Sequence, residues 1–305
     1  MTTLHNINAN TTTTNIYVGA HINREKTILK TMETITKNRG NSLQLFVSNP
    51  RSLSLVNIDN YINIANDIKD YSLKNNFKTI IHSSYTINLA RDFKNGKRAI
   101  PINECAWIQL FLHELYISHI IGSTGVIVHV GKHTTQSKEY GLENMRISIE
   151  YIIEELHKND LNTKIIIETP AGQGTELLTD LNDFMDFYNS FSSQQKKYLG
   201  ICLDTAHIWA AGYELNDAYK IICNKNANDL IAIHLNNSKV AQGSNVDRHT
   251  TLFDNSGTIP YNSIKQFLEL FKNKDNKKHH IPIIILETPS IQYIDEIIWC
   301  NMLLQ

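Results

Sequence analysis

Gly200-Ile201-Cys202-Leu203-Asp204-Thr205-Ala206-His207-Ile208-Trp209-Ala210-Ala211-Gly212-Tyr213 contains one complete unit of the fold. An apolar run of strand length ends in Asp204, and His207 follows three residues later. Small residues then turn the chain into helical sequence. Alone, an Asp–His pair at a strand end is as often a structural hydrogen bond as a metal site. The pair gains weight because five other strand-like runs also end in a His, Asp or Glu.

Outward from that unit, strand-like runs occupy 16–21, 43–47, 79–82, 126–129, 164–168, 200–204, 231–235 and 283–287. They are short, almost wholly apolar and rich in Ile and Val, as parallel strands covered on both faces should be. The stretches 58–73, 106–121 and 145–156 carry helical spacing of apolar residues, and 291–304 reads as a closing helix. Pro101 suits a first helical turn and Pro260 an opening one. Eight strands alternating with helices predict an α/β protein, a (β/α)8 TIM barrel. An open doubly wound sheet would place a Gly-rich phosphate loop after strand one, where Gly19-Ala20-His21-Ile22-Asn23-Arg24 stands instead. No linker rich in Gly, Pro or Ser divides the chain. The expectation is a single domain over 15–305, preceded by a disordered Asn/Thr-rich tail over 1–14.

The 305 residues are 42% hydrophobic and 19% charged, with a formal net charge of −1. That balance excludes a basic nucleic-acid arm. No apolar run is long enough to span a bilayer, and no secretory signal opens the chain. Cys105, Cys202, Cys223 and Cys300 form no Cys-x-x-Cys pair, which points to a reducing, intracellular setting. Cys202, inside a strand, is expected to act as a small apolar residue.

In a barrel, residues at the carboxyl ends of the strands converge on one mouth. His82, His129, Glu168, Asp204, His207, His234 and Glu287 stand at or just past such ends. Asp247 and His249 lie two apart in the loop after strand seven, so in extended backbone they face the same side. The carboxylates would repel one another unless cations sit between them. This donor set suits zinc, or manganese or iron. It is too large for one ion and sufficient for two or three. His21, at the end of strand one, is a candidate to support the ligands from behind. His113, His119 and His157 fall in predicted helices, and His5, His133, His279 and His280 in the tail or loops.

Seven segments carry a resemblance: His82-Ser83-Ser84-Tyr85-Thr86-Ile87-Asn88-Leu89; His129-Val130-Gly131; Ile167-Glu168-Thr169-Pro170-Ala171-Gly172-Gln173-Gly174; Leu203-Asp204-Thr205-Ala206-His207; His234-Leu235-Asn236; Val246-Asp247-Arg248-His249; and Leu286-Glu287-Thr288. In order and residue type they are similar to the motifs of the endonuclease IV family of apurinic/apyrimidinic-site DNA repair enzymes. The similarity runs from about Ile16 to the C-terminus. It implies three zinc ions: His82 and His129 on the first, Glu168 bridging to the second, Asp204, His234 and Glu287 completing the second, and His207, Asp247 and His249 on the third. It gives Glu168 and Glu287 catalytic roles. It also implies hydrolysis of the phosphodiester 5′ to an abasic site, leaving 3′-hydroxyl and 5′-deoxyribose-phosphate ends, with trimming of 3′ ends besides. Three divalent ions would make the near-neutral chain positive at its mouth.

The same resemblance implies double-stranded DNA containing abasic sites as partner, bound by a monomer without a membrane. Arg51, in Pro50-Arg51-Ser52, matches an Arg that enters the duplex, and Tyr85 matches a Tyr wedge. Thr86 stands where that family often has an apolar wedge residue, so Leu there is expected to be neutral or better. Two rivals remain. One is a metal-dependent sugar isomerase or epimerase of the xylose-isomerase-like barrels, which uses one or two metals and has no need of Asp247, His249 and His207 together. The other is a non-catalytic barrel that binds a partner.

Overall fold

Runs of Ile and Val without polar alternation form stable strands only where both faces are covered. In the computed structural model, which describes residues 16–272, 281–288 and 292–304, the eight runs are covered in this way. They are β1 (Val18–His21), β2 (Ser42–Leu45), β3 (Lys78–His82), β4 (Val126–His129), β5 (Ile165–Glu168), β6 (Leu199–Asp204), β7 (Leu230–His234) and β8 (Ile283–Leu286). Each pairs in parallel with its chain neighbours, and β8 pairs with β1 to close the barrel. The register sets His129 beside Glu168 and Asp204 beside His234.

Alternation along each strand separates two cores. Ile80, Ile127, Ile166, Cys202, Ala232 and Ile285 fill the barrel interior as one cluster. Their neighbours Ile81, Val128, Ile167, Leu203, Ile233 and Leu286 join the larger core beneath the surrounding helices. Two residues beyond each interior residue stand, in turn, His82, His129, Glu168, Asp204, His234 and Glu287. The first five are the last residues of their strands and Glu287 stands one residue past β8, so the strand period itself delivers them to the mouth.

The helices differ from expectation in detail. The 58–73 stretch is two helices, Asp59–Ile62 and Ala65–Lys74, and the Tyr61 hydroxyl of the first donates to the Val47 carbonyl. β2 ends at Leu45, so Phe46 and Val47 already belong to the loop. The 145–156 helix extends over Lys138–Lys158, because the Ser137 hydroxyl caps its first turn by accepting from Tyr140 N at 3.2 Å. Pro101 precedes a 3-10 turn at Ile102–Glu104, and the helix Ala106–Ile121 follows it. Pro260 caps Tyr261–Glu269, and the closing helix is Tyr293–Leu304. The 1–14 tail lies outside the described residues, as do His5, His279 and His280. Among the described residues no helix is long and apolar enough to cross a membrane.

Two short antiparallel pairs interrupt the barrel pattern, and one shapes the mouth. Asn237–Ser238, just past β7, pairs with His249–Thr250, which folds the long loop back over the barrel. Gly131, just past β4, sits against the loop from β3. A Cβ there would lie 2.3 Å from Ala90 Cβ and 2.7 Å from Ala90 N. Gly131→Ala should therefore cost roughly 1–3 kcal/mol, seen as an unfolding midpoint several degrees lower. An unchanged midpoint would mean that the β3 and β4 loops do not meet this way.

Candidate metal centre

Six of the nine candidates come from strand ends, and local chemistry aims each one. Asp204 caps the helix Thr205–Ala210: its Oδ1 accepts from Ala206 N at 2.7 Å and His207 N at 2.9 Å. Its Oδ2 is left to face the mouth, where Asn236 Nδ2 donates to it at 2.8 Å. The cap also fixes His207 in the first helical turn. There His207 Nδ1 donates to the Thr169 carbonyl at 2.9 Å. His82 Nδ1 likewise donates to the Ser83 carbonyl at 2.8 Å. A carbonyl only accepts, so in both rings Nε2 is the nitrogen free to bind an ion.

Glu168 is the hub. Its Oε2 lies 3.3 Å from His129 Nε2 and 3.7 Å from His82 Nε2. Its Oε1 lies 2.7 Å from His234 Nδ1 and 3.6 Å from His207 Nδ1. His234 Nδ1 is also 3.4 Å from Glu287 Oε2 and 3.7 Å from Asp204 Oδ2. Asp247 reaches the site from the long loop: Oδ1 is 3.0 Å from His249 Nε2 and Oδ2 3.4 Å from His207 Nε2. The ligand atoms of His82, His129 and Glu168 lie within 4.8 Å of one another; so do those of Glu168, Asp204, His234 and Glu287, and those of Asp204, His207 and His249. Glu168 and Asp204 each belong to two of these groups. All of the nine except Asp204 and His234 line an open pocket of about 680 Å³.

The donor set fits divalent cations. Glu168 Oε2, His207 Nε2 and His249 Nε2 are buried and have no hydrogen-bond partner among the described residues. Buried polar atoms are rarely left so unless something else binds them. Cys202 lies within reach of Glu168 and His234, but burial pushes its thiol up to about 12, so it remains a neutral apolar group.

Electrostatics tell the same story. Burial would push the Glu168 carboxyl up, yet His234 and His129 hold it well below the carboxylate range. Burial would push His207 down, yet Asp204 and Asp247 hold it well above its ordinary value. His234 is held well above in the same way, against burial, by Glu287 and Glu168. His249 rises to about 9 against burial, through Asp204, Asp247 and Glu287. Without metal, protons on these rings balance the carboxylates.

Several supporting residues were not singled out in the sequence. Gln44, fully buried at the inward face of β2, accepts from His234 Nε2 at 2.8 Å. Its Nε2 donates to Glu287 Oε1 at 2.8 Å and to His21 Nδ1 at 3.0 Å. A Gln inside an apolar strand was the signal. Asn236 donates to Asp204 and also to Glu287 Oε2 at 3.3 Å. Gln173 Oε1 accepts from Asp247 N at 2.9 Å. Arg248 lines the pocket. His21, singled out in the sequence, lines the pocket as well, with its Nδ1 3.4 Å from Glu287 Oε1.

The DNA candidates divide. Tyr85 lines the pocket and is 59% exposed, with its ring edge-on to His82 at 5.4 Å. Arg51 is exposed on the neighbouring loop, outside the pocket lining. Thr86 is half-buried, and its hydroxyl donates to the Ser52 carbonyl at 3.2 Å. Leu could not make this bond. His113, His119, His133 and His157 each have a hydrogen-bond partner away from the pocket.

Residues 41–275 match the family model described as "Xylose isomerase-like TIM barrel". The chain is 29% identical over 283 residues to a protein named "Probable endonuclease 4" from Clostridium botulinum, covering 90% of this chain and 92% of that one. Endonuclease IV from Thermus thermophilus superposes with a TM-score of 0.67 at 20% identity, over 94% of this chain and 97% of that one. A D-tagatose 3-epimerase-like protein superposes with 0.66 at 16% identity, over 94% and 96%. At those identities the two superpositions speak to the fold alone.

Zinc added to the metal-free protein at pH 7 should displace the protons held on His207, His234 and His249, about three per chain. Affinity should therefore fall as pH drops from about 8 to about 6. Calorimetry in buffers of different ionisation enthalpy measures the release, and zinc uptake without it would contradict the charge balance described.

Proposed function

The chain belongs to the xylose isomerase-like TIM barrel family, and from that premise we propose that it is a zinc-dependent DNA repair endonuclease of the endonuclease IV type. It hydrolyses the phosphodiester 5′ to an abasic site and leaves 3′-hydroxyl and 5′-deoxyribose-phosphate ends. The similarity to relatives named endonuclease 4 over nine-tenths of the chain supports this class. The observation that carries the reading is the third group of ligand atoms, Asp204, His207 and His249, with the Asp247 carboxylate beside both rings. Asp247 and His249 fold back over His207, whereas a sugar isomerase with one or two ions has no use for them.

His82, His129 and Glu168 would hold the first ion, Glu168 with Asp204, His234 and Glu287 the second, and His207, Asp247 and His249 the third. Zinc, when bound, supplies Lewis-acid charge to the phosphate and lowers the pKa of water enough to give a nucleophile at neutral pH. Manganese or iron would suit the same donors. The protein's part is to hold and to shape. Gln44 and Asn236 keep the Glu287 carboxylate from turning. Arg248 at the rim adds positive charge for a phosphate. A pocket of about 680 Å³ admits a nucleotide but not a duplex, so the damaged nucleotide must leave the stack. Tyr85 would fill the gap it leaves, with Arg51 entering from the next loop. The open pocket would also accept a 3′-terminal phosphate, which extends the proposal to 3′-end trimming. All nine ligands come from one chain, which is consistent with a monomer built of one barrel domain over 15–305.

The direct test is a duplex carrying one tetrahydrofuran abasic analogue. A single cut on its 5′ side is expected, and its absence in zinc-loaded protein would refute the proposal. Glu168→Gln should lower incision by orders of magnitude while the circular dichroism spectrum is retained. Near-normal incision by the folded variant would remove Glu168 from the centre. His207→Ala and His249→Ala should each lose about one zinc per chain. Full zinc content in both would show that the third ion is misassigned.

A further inference from the structure

Two loops rise beside the pocket, one after β2 with Arg51 and one after β3 with Tyr85. The two loops are bonded directly to each other. Tyr85 N donates to the Pro50 carbonyl at 3.0 Å. The Ser52 carbonyl accepts from Ser84 Oγ at 3.3 Å and from Thr86 Oγ1 at 3.2 Å, and those two hydroxyls lie 2.8 Å apart. Beneath them lies Glu114, fully buried in the helix Ala106–Ile121. Its carboxylate accepts from the Ser48 hydroxyl in one loop and from Ser84 N, at 3.2 Å, in the other. Packing alone would be served by an apolar residue there. A buried carboxylate is tolerated only where it is well bonded, and its donors here come from both loops.

We infer that Glu114 and Thr86 are positioning residues that lock the Arg51 and Tyr85 loops into one rigid blade. The inference rests on the proposed use of Arg51 and Tyr85 in DNA. Opening a duplex costs stacking, and a wedge that had first to be ordered would add its own entropy to that cost. A loop pair fixed in advance avoids the second cost. Tyr85 is held upright by the same arrangement: its ring stands edge-on to Phe46 at 5.3 Å while 59% of the residue stays exposed. Thr86, in the position expected of a second wedge, is instead part of the wedge's base.

Thr86→Val keeps the shape and removes the hydroxyl, and Thr86→Ser keeps the hydroxyl. In zinc-loaded protein without DNA, amide exchange of a peptide spanning Tyr85 should be about tenfold faster in Thr86→Val and near wild type in Thr86→Ser. The dissociation constant for the tetrahydrofuran duplex should rise about five- to tenfold in Thr86→Val. It should recover in Thr86→Ser, with zinc content unchanged in both. Glu114→Gln should speed exchange in both loops at once. Wild-type exchange in Thr86→Val would overturn the inference. So would faster exchange with unchanged affinity, and that outcome leaves the proposed function standing. Failure of the wild type to prefer abasic over intact duplex would refute the function instead, and the blade with it.

Discussion

Four carboxylates, Glu168, Asp204, Asp247 and Glu287, face one another at the barrel mouth, and Glu168 and Asp204 are buried there. Their mutual repulsion is the constraint the rest of the structure answers. It is met by five imidazoles, interleaved so that each carboxylate oxygen facing the pocket lies near a ring nitrogen. Protons on His207, His234 and His249 offset most of that charge but leave the site coordinatively unsaturated. With divalent ions it would be balanced and coordinated at once. The barrel makes such a concentration of charge tolerable. Its parallel strands bring six of the groups in from different directions and hold them on backbone that cannot move aside.

The supporting bonds show how little freedom remains. Ser83 and Thr169 carbonyls fix the rings of His82 and His207. Gln44 engages His234, Glu287 and His21 together. Asp204 divides its two oxygens between a helix cap and the pocket. Glu296 does similar work on the outside, accepting from Leu252 N at 2.6 Å and from the Thr288 hydroxyl. It ties the loop that carries His249 to the residue after Glu287. Buried networks of this kind are valuable only when complete. Glu168 Oε2, His207 Nε2 and His249 Nε2, which are left unbonded within this network, belong to residues that line the pocket.

Much of this was legible in the sequence because the same periodicity serves fold and site. An apolar run that ends in His82 or Glu168 announces both a covered strand and a residue at its open end. The resemblance to the endonuclease IV family then ordered the groups. What escaped notice had no periodic signal. Gln44 and Asn236 are uncharged and mean something only beside Glu287. The break at 63–64 within the 58–73 helix leaves the apolar pattern almost unchanged. Thr86 was read by its position in a motif, although its hydroxyl answers to Ser52, thirty-four residues away in the chain. Partners distant in sequence are set by loop packing, which one chain read alone does not encode locally.

The long loop that carries Asp247 and His249 has a consequence for metal traffic. Under the proposed assignment the ions are not equally lodged. Glu168, Asp204 and His234 lie at or near zero exposure, whereas His249 is 20% and Asp247 35% exposed, and His129, at 31%, is held at the end of a barrel strand. Two of the third ion's ligands hang on a loop returned by a two-residue ladder. Opening that ladder would release the third ion without disturbing a barrel strand, while the ions at Glu168 could depart only if the mouth itself loosened. Occupancy would therefore be hierarchical in time, with one quickly exchanging position above two slow ones. Under scarcity the protein would pass through a partly loaded form with an intact barrel.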